Sequence, residues 1–424
     1  MKNETYYSRI IDNVVKSHLD TFGAVCIEGP KWCGKTWTAS IHSQSVIYLG
    51  DPSGNFQNKS LAKLDPKLVL GGETPRLIDE WQEVPELWDA VRFEVDQRGL
   101  KGQFILTGSA TPAQKGILHS GAGRISTLRM RPMSLFESKD SSGQVSLEDL
   151  CKGKFENVVT EEVSLSRIIK LILRGGWPGS LNIDEAAYTT VAREYLNAII
   201  NHDVYRLEGI NRNTRKMNLL LKSLARNEST TVSINTLKKD IKEHGEDELD
   251  NDTISAYLTL FERMFLIENQ KAFSSNIRSS VRLKQMEKRH FVDPSLACAL
   301  LNASEKMLIN DLNSLGFLFE AMCERDLRIY AESFNAKLYH YQDYSGFEID
   351  AVIELDDGEW VAIEIKLGSN QIDEAAKSLI KIRDKIREEG GKVPKALCIV
   401  CGVSKAAYLR ADGVYVVPIT ALKN

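Results

Sequence analysis

Apolar residues recur at helical spacing over residues 5–20 (Ile10, Ile11, Val14, Val15, Leu19), and the chain then enters a short unbroken apolar run from Phe22 to Ile27. A run of that length predicts a buried strand after a helix. Two more short runs, Arg76 to Ile78 and Phe104 to Leu106, bracket a stretch of helical spacing from Leu87 to Val95, and Ile125 to Met130 is again strand-like. Strands alternating with helices predict a parallel sheet. From Ser138 to Glu162 the chain is rich in Ser, Gly, Lys, Asp and Glu and predicts a linker or surface excursion. Helical spacing resumes from Ser164 to about Leu224, broken at Arg174-Gly175-Gly176-Trp177-Pro178-Gly179, where Gly and Pro require a turn. Val232 to His290 reads as a helix, a polar gap (His244 to Asp250), a second helix (Asp252 to Leu266), a polar stretch and a strand. That is the order of a winged helix. After Asp311 come a helix, strands, a helix and a closing strand that ends in Val414-Tyr415-Val416-Val417-Pro418-Ile419.

The first strand runs into Gly29-Pro30-Lys31-Trp32-Cys33-Gly34-Lys35-Thr36, followed by Trp37. Two glycines with four residues between them let backbone amides face phosphate oxygens with no Cβ in the way. Lys35 then reaches the β and γ phosphates, and the Thr36 hydroxyl ligates Mg2+ at the start of a helix. Lys35 is expected to face solvent, and Trp32 either stacks on the nucleotide or caps the loop. The second strand ends in Asp79-Glu80, suited to holding Mg2+ (Asp79) and orienting the attacking water (Glu80). A third strand, expected between these two, ends in Thr107-Gly108-Ser109 and offers a hydroxyl to the γ phosphate, unless it is only a Ser/Thr turn. Arg124 is a candidate for stabilising transition-state charge in its own subunit or a neighbour's, against an ordinary ion-paired arginine.

In the C-terminal part, Phe347 to Leu355 and Glu359 to Leu367 are strand-like and flank Asp356-Asp357-Gly358, a turn with Gly placed for positive φ. A three-residue loop sets Leu355 opposite Glu359 and, at the same offset, Asp350 opposite Glu364. The two carboxylates then stand on one face, about 5 Å apart at Cβ, with Lys366 on that face as well. Such a pair can share a divalent ion while the lysine orients water for attack on phosphorus. An exposed strand with alternating charges and an inactive binding module are the alternatives.

Residues 270–290 hold Lys271, Arg278, Arg282, Lys284, Lys288 and Arg289 against Glu287. That cluster is suited to gripping DNA phosphates, with a solvated hairpin or a protein-contact wing as alternatives. Cys398 and Cys401 lie in an apolar strand and read as core, and His340 reads as structural.

The segments GPKWCGKT, LIDEWQ, FILTGSA, AGRISTLRMRPMSLFE and RGGWPGS together resemble a large group of bacterial and archaeal AAA-type ATPases with a poorly defined C-terminal domain. The resemblance covers nearly the whole chain. It implies ATP binding with hydrolysis. Asp350 with Glu364-x-Lys366, after a helix bearing Glu320, resembles the PD-(D/E)xK nuclease superfamily, with Ile349 where Pro is usual. This second resemblance implies that Glu320 completes the metal site of Asp350 and Glu364, and that Gln371 supports it.

The fold class expected is therefore α/β. It comprises a P-loop AAA-type ATPase core with a parallel sheet (1–137), a linker and helical lid (138–225), a winged-helix-like middle (226–305) and a restriction-endonuclease-like α/β domain (306–424). The cofactors expected are ATP and Mg2+, with Mn2+ a second candidate at the C-terminal site. DNA and a homo-oligomer are the candidate partners. Composition narrows this little further: 54 Lys and Arg against 58 Asp and Glu give a net charge of −4, so overall charge demands no polyanion. Seven thinly spread cysteines and the lack of a long apolar run point to a cytoplasmic protein without a membrane span.

Overall fold

A computed structural model of the chain describes residues 6–111, 117–205, 213–244, 249–274, 285–343 and 345–424. It forms two compact units: Met1–Pro132 with Asp203–Asn211 and Thr259–Leu266, and Met133–His202 with Arg212–Leu258 and Ile267–Asn424.

The first unit is built on five strands, β1 (Ala24–Glu28), β2 (Ser45–Tyr48), β3 (Arg76–Asp79), β4 (Phe104–Gly108) and β5 (Ile125–Arg129), in the order β2-β3-β4-β1-β5. All neighbours are parallel. β1 and β4 are buried almost throughout because helices cover such sheets on both faces. One apolar layer gathers Cys26, Ile78, Phe104 and Leu106 with Trp81, Trp88 and Val91 of the following turn and helix. β4 lies between β1 and β3 as expected, with Ile27 beside Thr107 and Ile78 beside Leu106. Parallel strands deliver Glu28, Asp79 and Gly108 to one edge of the sheet. β2 is missing from the sequence reading because this edge strand is only half-buried and its four residues carry no periodicity.

The second unit has a seven-stranded sheet and a helical layer. β6 (Val145–Ser146) pairs with β14 (Leu422–Lys423). The larger sheet has the order β7-β12-β13-β11-β10-β9-β8, from β7 (Val158–Val159), β8 (Lys337–Gln342), β9 (Glu348–Glu354), β10 (Trp360–Lys366), β11 (Ala396–Cys401), β12 (Ala406–Leu409) and β13 (Val414–Pro418). The helix Leu312–Ser333 precedes β8, and the helix Ile372–Glu388 joins β10 to the parallel β11. The stretch 138–162, expected as a linker, supplies β6, β7 and a short helix, Leu147–Cys151. Its polar composition conceals buried Val145, Leu147, Leu150 and Cys151, while Ser146 Oγ accepts from Asp149 N at the helix start.

The turn at residues 174–180 and the segment after Arg131 meet in a buried ionic knot. Asp293 Oδ2 accepts from Gly176 N (2.9 Å) and Arg325 Nη1 (2.7 Å), and Asp326 Oδ2 accepts from Leu135 N (2.8 Å). Arg325 spans the two acids, bonding Asp326 Oδ1 from Nε and Nη2 at 2.9 and 2.7 Å. Trp177 Nε1 donates to Ser295 Oγ at 3.0 Å. Gly176 is obligatory because a Cβ there would lie 2.1 Å from Met133 O.

Helices Thr214–Arg226, Ile234–His244 and Asn251–Arg263 lead to a two-stranded ladder in which Ile267 pairs with Phe291 and Gln270 with Lys288, while Thr230 pairs with Arg289 on the other side. Ala272 continues the ladder beside His340 of β8. Arg278, Arg282 and Lys284 lie outside the described residues. Of the other basic residues expected there to grip phosphates, Lys271 is exposed, Arg289 half-buried and Lys288 buried. All seven cysteines are free and buried, Cys398 and Cys401 within β11. Among the described residues no helix is long and apolar enough to cross a membrane.

Candidate functional site

The loop after β1 is held in shape by its own backbone and by one arginine. Gly29 N donates to Gly108 O (3.2 Å), and a Cβ on Gly29 would lie 2.0 Å from Met130 O, so only glycine fits. Trp32 and Gly34 turn the chain with φ of +67° and +103°. Arg9 pins the loop from the N-terminal segment, donating to Cys33 O (2.7 Å) and Arg131 O (2.8 Å). Pro30 and Cys33 are buried, Trp37 is half-buried, and Trp32 is 43% exposed. Lys31 pairs with Asp203 at 2.6 Å. Lys35, expected in solvent, is 4% exposed and donates from Nζ to Pro30 O at 2.8 Å. The curl of the loop presents that carbonyl to the ammonium, which is better satisfied there than half-buried without a partner.

At the same sheet edge Thr36 Oγ1 and Thr107 Oγ1 both donate to Asp79 Oδ1, at 2.8 and 2.7 Å. Thr107 Oγ1 in turn accepts from Glu80 N (3.1 Å). Glu80 has φ +60°, and its carboxylate accepts from Ser109 Oγ (2.7 Å) and from Gln82 Nε2. The residues of the loop, the acidic strand end and the third strand thus converge. A hydroxyl hydrogen-bonded to a carboxylate beside a lysine is a donor set that fits Mg2+ and a nucleotide phosphate. Arg124 is not brought to this group. It precedes β5, which runs parallel to β1, so it sits at the opposite end of the strands, paired with Asp96 at 2.8 Å.

The second cluster lies on β9 and β10. Leu355 N donates to Glu359 O (2.8 Å) across a turn in which Gly358 has φ +74°, and the ladder pairs Glu354 with Trp360 and Ala351 with Ile363. Continuing that offset puts Asp350 opposite Glu364. Lys366 Nζ bridges the two, 3.1 Å from Asp350 Oδ2 and 2.5 Å from Glu364 Oε2. Ile365 N also donates to Asp350 Oδ2 at 2.8 Å. From the ladder described above, Lys288 Nζ reaches Glu320 Oε1 (2.6 Å) and Asp350 Oδ1 (3.7 Å).

Burial and the neighbouring Asp350 charge push Glu364 up to about 8, and burial pushes Glu320 up to about 7. Burial also opposes ionisation of Asp350. The ammonium groups of Lys366 and Lys288 outweigh it and hold that carboxyl below its usual range.

Glu320, expected to complete a metal shell, is instead paired with Lys288. Among the described residues no three His, Cys, Asp or Glu side chains form a group able to hold a metal ion. Oxygen-rich Asp350 and Glu364 still provide the donor chemistry a divalent cation uses, with ammonium groups standing between the carboxylates. Gln371, expected as a supporting residue, accepts from Gly368 N (3.1 Å) and closes the turn before its helix. The amide at the cluster belongs to Gln270, which donates to Asp350 O (3.1 Å) and Tyr339 O (2.9 Å). Gln270 and Arg9 escaped the sequence reading, and Lys288 entered it only as one of the basic residues suited to gripping DNA phosphates. The signal for Lys288 is its two-residue alternation with buried His290 around half-buried Arg289.

Three family descriptions match the chain. Residues 21–139 match an AAA domain, 165–307 a domain of unknown function (DUF8612), and 315–422 another (DUF4143). The uncharacterized protein Rv2008c of Mycobacterium tuberculosis is 24% identical over 349 residues, covering 81% of this chain and 70% of that protein. Among solved structures, the Walker-type ATPase paby2304 of Pyrococcus abyssi is similar at 14% identity with a TM-score of 0.42, over 70% of this chain and 97% of that one. The replication initiator DnaA, bound to AMPPCP and single-stranded DNA, is similar at 14% identity with a TM-score of 0.27, over 60% of this chain and 86% of that one. Over residues 21–139, which hold the loop from Gly29 to Thr36 and the acidic pair Asp79-Glu80, the chain is similar to the AAA domain of P-loop ATPases.

Proposed function

We propose that the protein binds ATP with Mg2+ through Gly29 to Thr36 and Asp79, hydrolyses it with Glu80, and couples this to a C-terminal module that cleaves nucleic acid with a divalent metal. The observation that carries the first half is the convergence of Lys35, Thr36, Asp79 and Glu80 on one sheet edge. Mg2+, when bound, offsets the charge of the phosphate oxygens. Within the chain, Thr36 and Asp79 hold the cation, Lys35 leaves Pro30 O for the phosphates, Ser109 and Gln82 aim Glu80, and Thr107 ties Asp79 to the Glu80 backbone.

For the second half, the helix Leu312–Ser333, then β8, β9, β10, the helix Ile372–Glu388 and β11 follow the order expected of a restriction-endonuclease-like core. Asp350, Glu364 and Lys366 meet on its central hairpin. Two helices, Ile234–His244 and Asn251–Arg263, followed by a ladder support a winged-helix-like reading of residues 226–305, with DNA as the ligand class. Phosphate release by the full chain, with and without duplex DNA, tests the proposal. Stimulation by DNA that Glu80→Gln abolishes is the expected result. Phosphate release equal in wild type and Glu80→Gln would sink the ATPase assignment.

The lysine pairing of all three carboxylates favours a second reading for the C-terminal module, a binding domain without cleavage under ATP control. Nicking of plasmid DNA in Mn2+ that is lost in Asp350→Asn separates the two.

A further inference from the structure

We infer that Lys288 is an internal cation standing where a divalent ion would sit beside Glu320 and Asp350, so that metal enters only when the ladder carrying Lys288 withdraws. This rests on the nuclease-like reading of the same cluster.

Glu320, Asp350 and Glu364 come from a helix and two strands, and a fourth element supplies Lys288. Its ammonium is 2.6 Å from Glu320 Oε1 and 3.7 Å from Asp350 Oδ1, with the side chain 7% exposed. A lysine is seldom buried so far unless carboxylates hold it. Here burial works against the ammonium, and Glu320 and Asp350 more than restore it. Lys366 belongs to β10 itself and bridges Asp350 and Glu364 from within the hairpin, whereas Lys288 arrives from outside the sheet.

Counted as ionised, three carboxylates against two ammonium groups leave a formal charge of −1. With all three ionised, exchanging Lys288 for a divalent ion brings that balance to zero. Gln270 and Lys288 exchange two bonds of 2.9 Å within the ladder, and its backbone is held to its neighbours by Arg289 N to Thr230 O (2.8 Å), Ser229 N to Arg289 O (2.9 Å), Phe273 N to His340 O (2.6 Å) and His340 N to Lys271 O (2.9 Å). Gln270 Nε2 also donates to Asp350 O, so withdrawal of the ladder breaks a bond to the strand that carries Asp350.

Mn2+ binding to the full chain without nucleotide, followed by electron paramagnetic resonance, tests the inference. Lys288→Met should bind Mn2+ about tenfold or more tightly than wild type, a change of about 1.4 kcal/mol. Lys288→Arg, which keeps the charge, should resemble wild type. Adding Asp350→Asn to Lys288→Met should erase the gain. Equal Mn2+ affinity in wild type and Lys288→Met, still lost in Asp350→Asn, would overturn the internal-cation role and leave the metal site standing. Failure of every variant to bind Mn2+ would overturn both. Should Lys288→Met not fold, acylation of the Lys288 amine in wild type, read by peptide mass spectrometry, should rise on saturation with Mn2+. Unchanged labelling with Mn2+ bound would refute the exchange.

Discussion

At the scale of single residues, the chemistry turns on side chains held by one or two bonds. Lys35 Nζ satisfies Pro30 O, so Lys35→Ala removes a loop hydrogen bond together with the charge proposed to bind phosphate. ATP affinity measured by calorimetry should fall by roughly 10- to 100-fold, and the nucleotide-free protein should lose about 1 kcal/mol. Glu80 is aimed by Ser109 and Gln82, and Glu80→Gln keeps its shape without its charge. ATP should still bind while turnover drops about 100-fold or more, as loss of a general base does.

His340 sets a pH dependence. Burial and then the Lys288 charge push it down to about 4 from 6.5, and its Nε2 meets Met286 O at 3.1 Å. Folded His340 stays neutral down to that value while unfolded His340 gains a proton below 6.5, so the unfolded state binds more protons as pH falls. The stabilisation is complete above 6.5 and is lost downward through that window, at about 1.4 kcal/mol per pH unit. Urea unfolding at pH 7 and 5 should show that part of the slope missing in His340→Gln.

At the scale of elements, the hairpin of β9 and β10 works only in one register. Its turn depends on Gly358 at φ +74°, where a side chain strains the backbone. Gly358→Ala should cost about 1–2 kcal/mol by urea denaturation. The ionic knot of Asp293, Arg325 and Asp326 ties the turn at residues 174–180 and the segment after Met133 to the helix Leu312–Ser333. Arg325→Met leaves two wholly buried acids without their cation and should destabilise the protein by about 3–5 kcal/mol. The segments RPMSLFE and GGWPGS thereby have an architectural role, since the amides of Leu135 and Gly176 feed this knot.

At the scale of the whole molecule, the phosphate loop and the carboxylate cluster lie in separate compact units. Asp350→Asn should therefore leave basal ATP turnover unchanged, and an equal loss in a phosphate-release assay would show that the two chemistries share one site. The separation also bears on what could be read from the linear chain. Loop, strand-end acids and hairpin register were legible because each is set by residues within about twenty positions of one another. An apolar strand must bury itself, a glycine pair must turn, and a three-residue loop allows one pairing offset. Contacts set by chain direction and long-range packing were not legible. Arg124 lies at the far end of the strands because β5 runs parallel to β1. The stretch 138–162 is polar in composition yet packs through Leu147 and Leu150, and Lys35 turns inward because the folded loop presents Pro30 O. Local sequence alone thus picked out the loop, the strand-end acids and the hairpin carboxylates as candidates. Only the tertiary structure decided that Lys288 and Gln270, some sixty to eighty positions before Asp350, stand among the carboxylates, because a buried charge is paired by whatever cation the fold brings near.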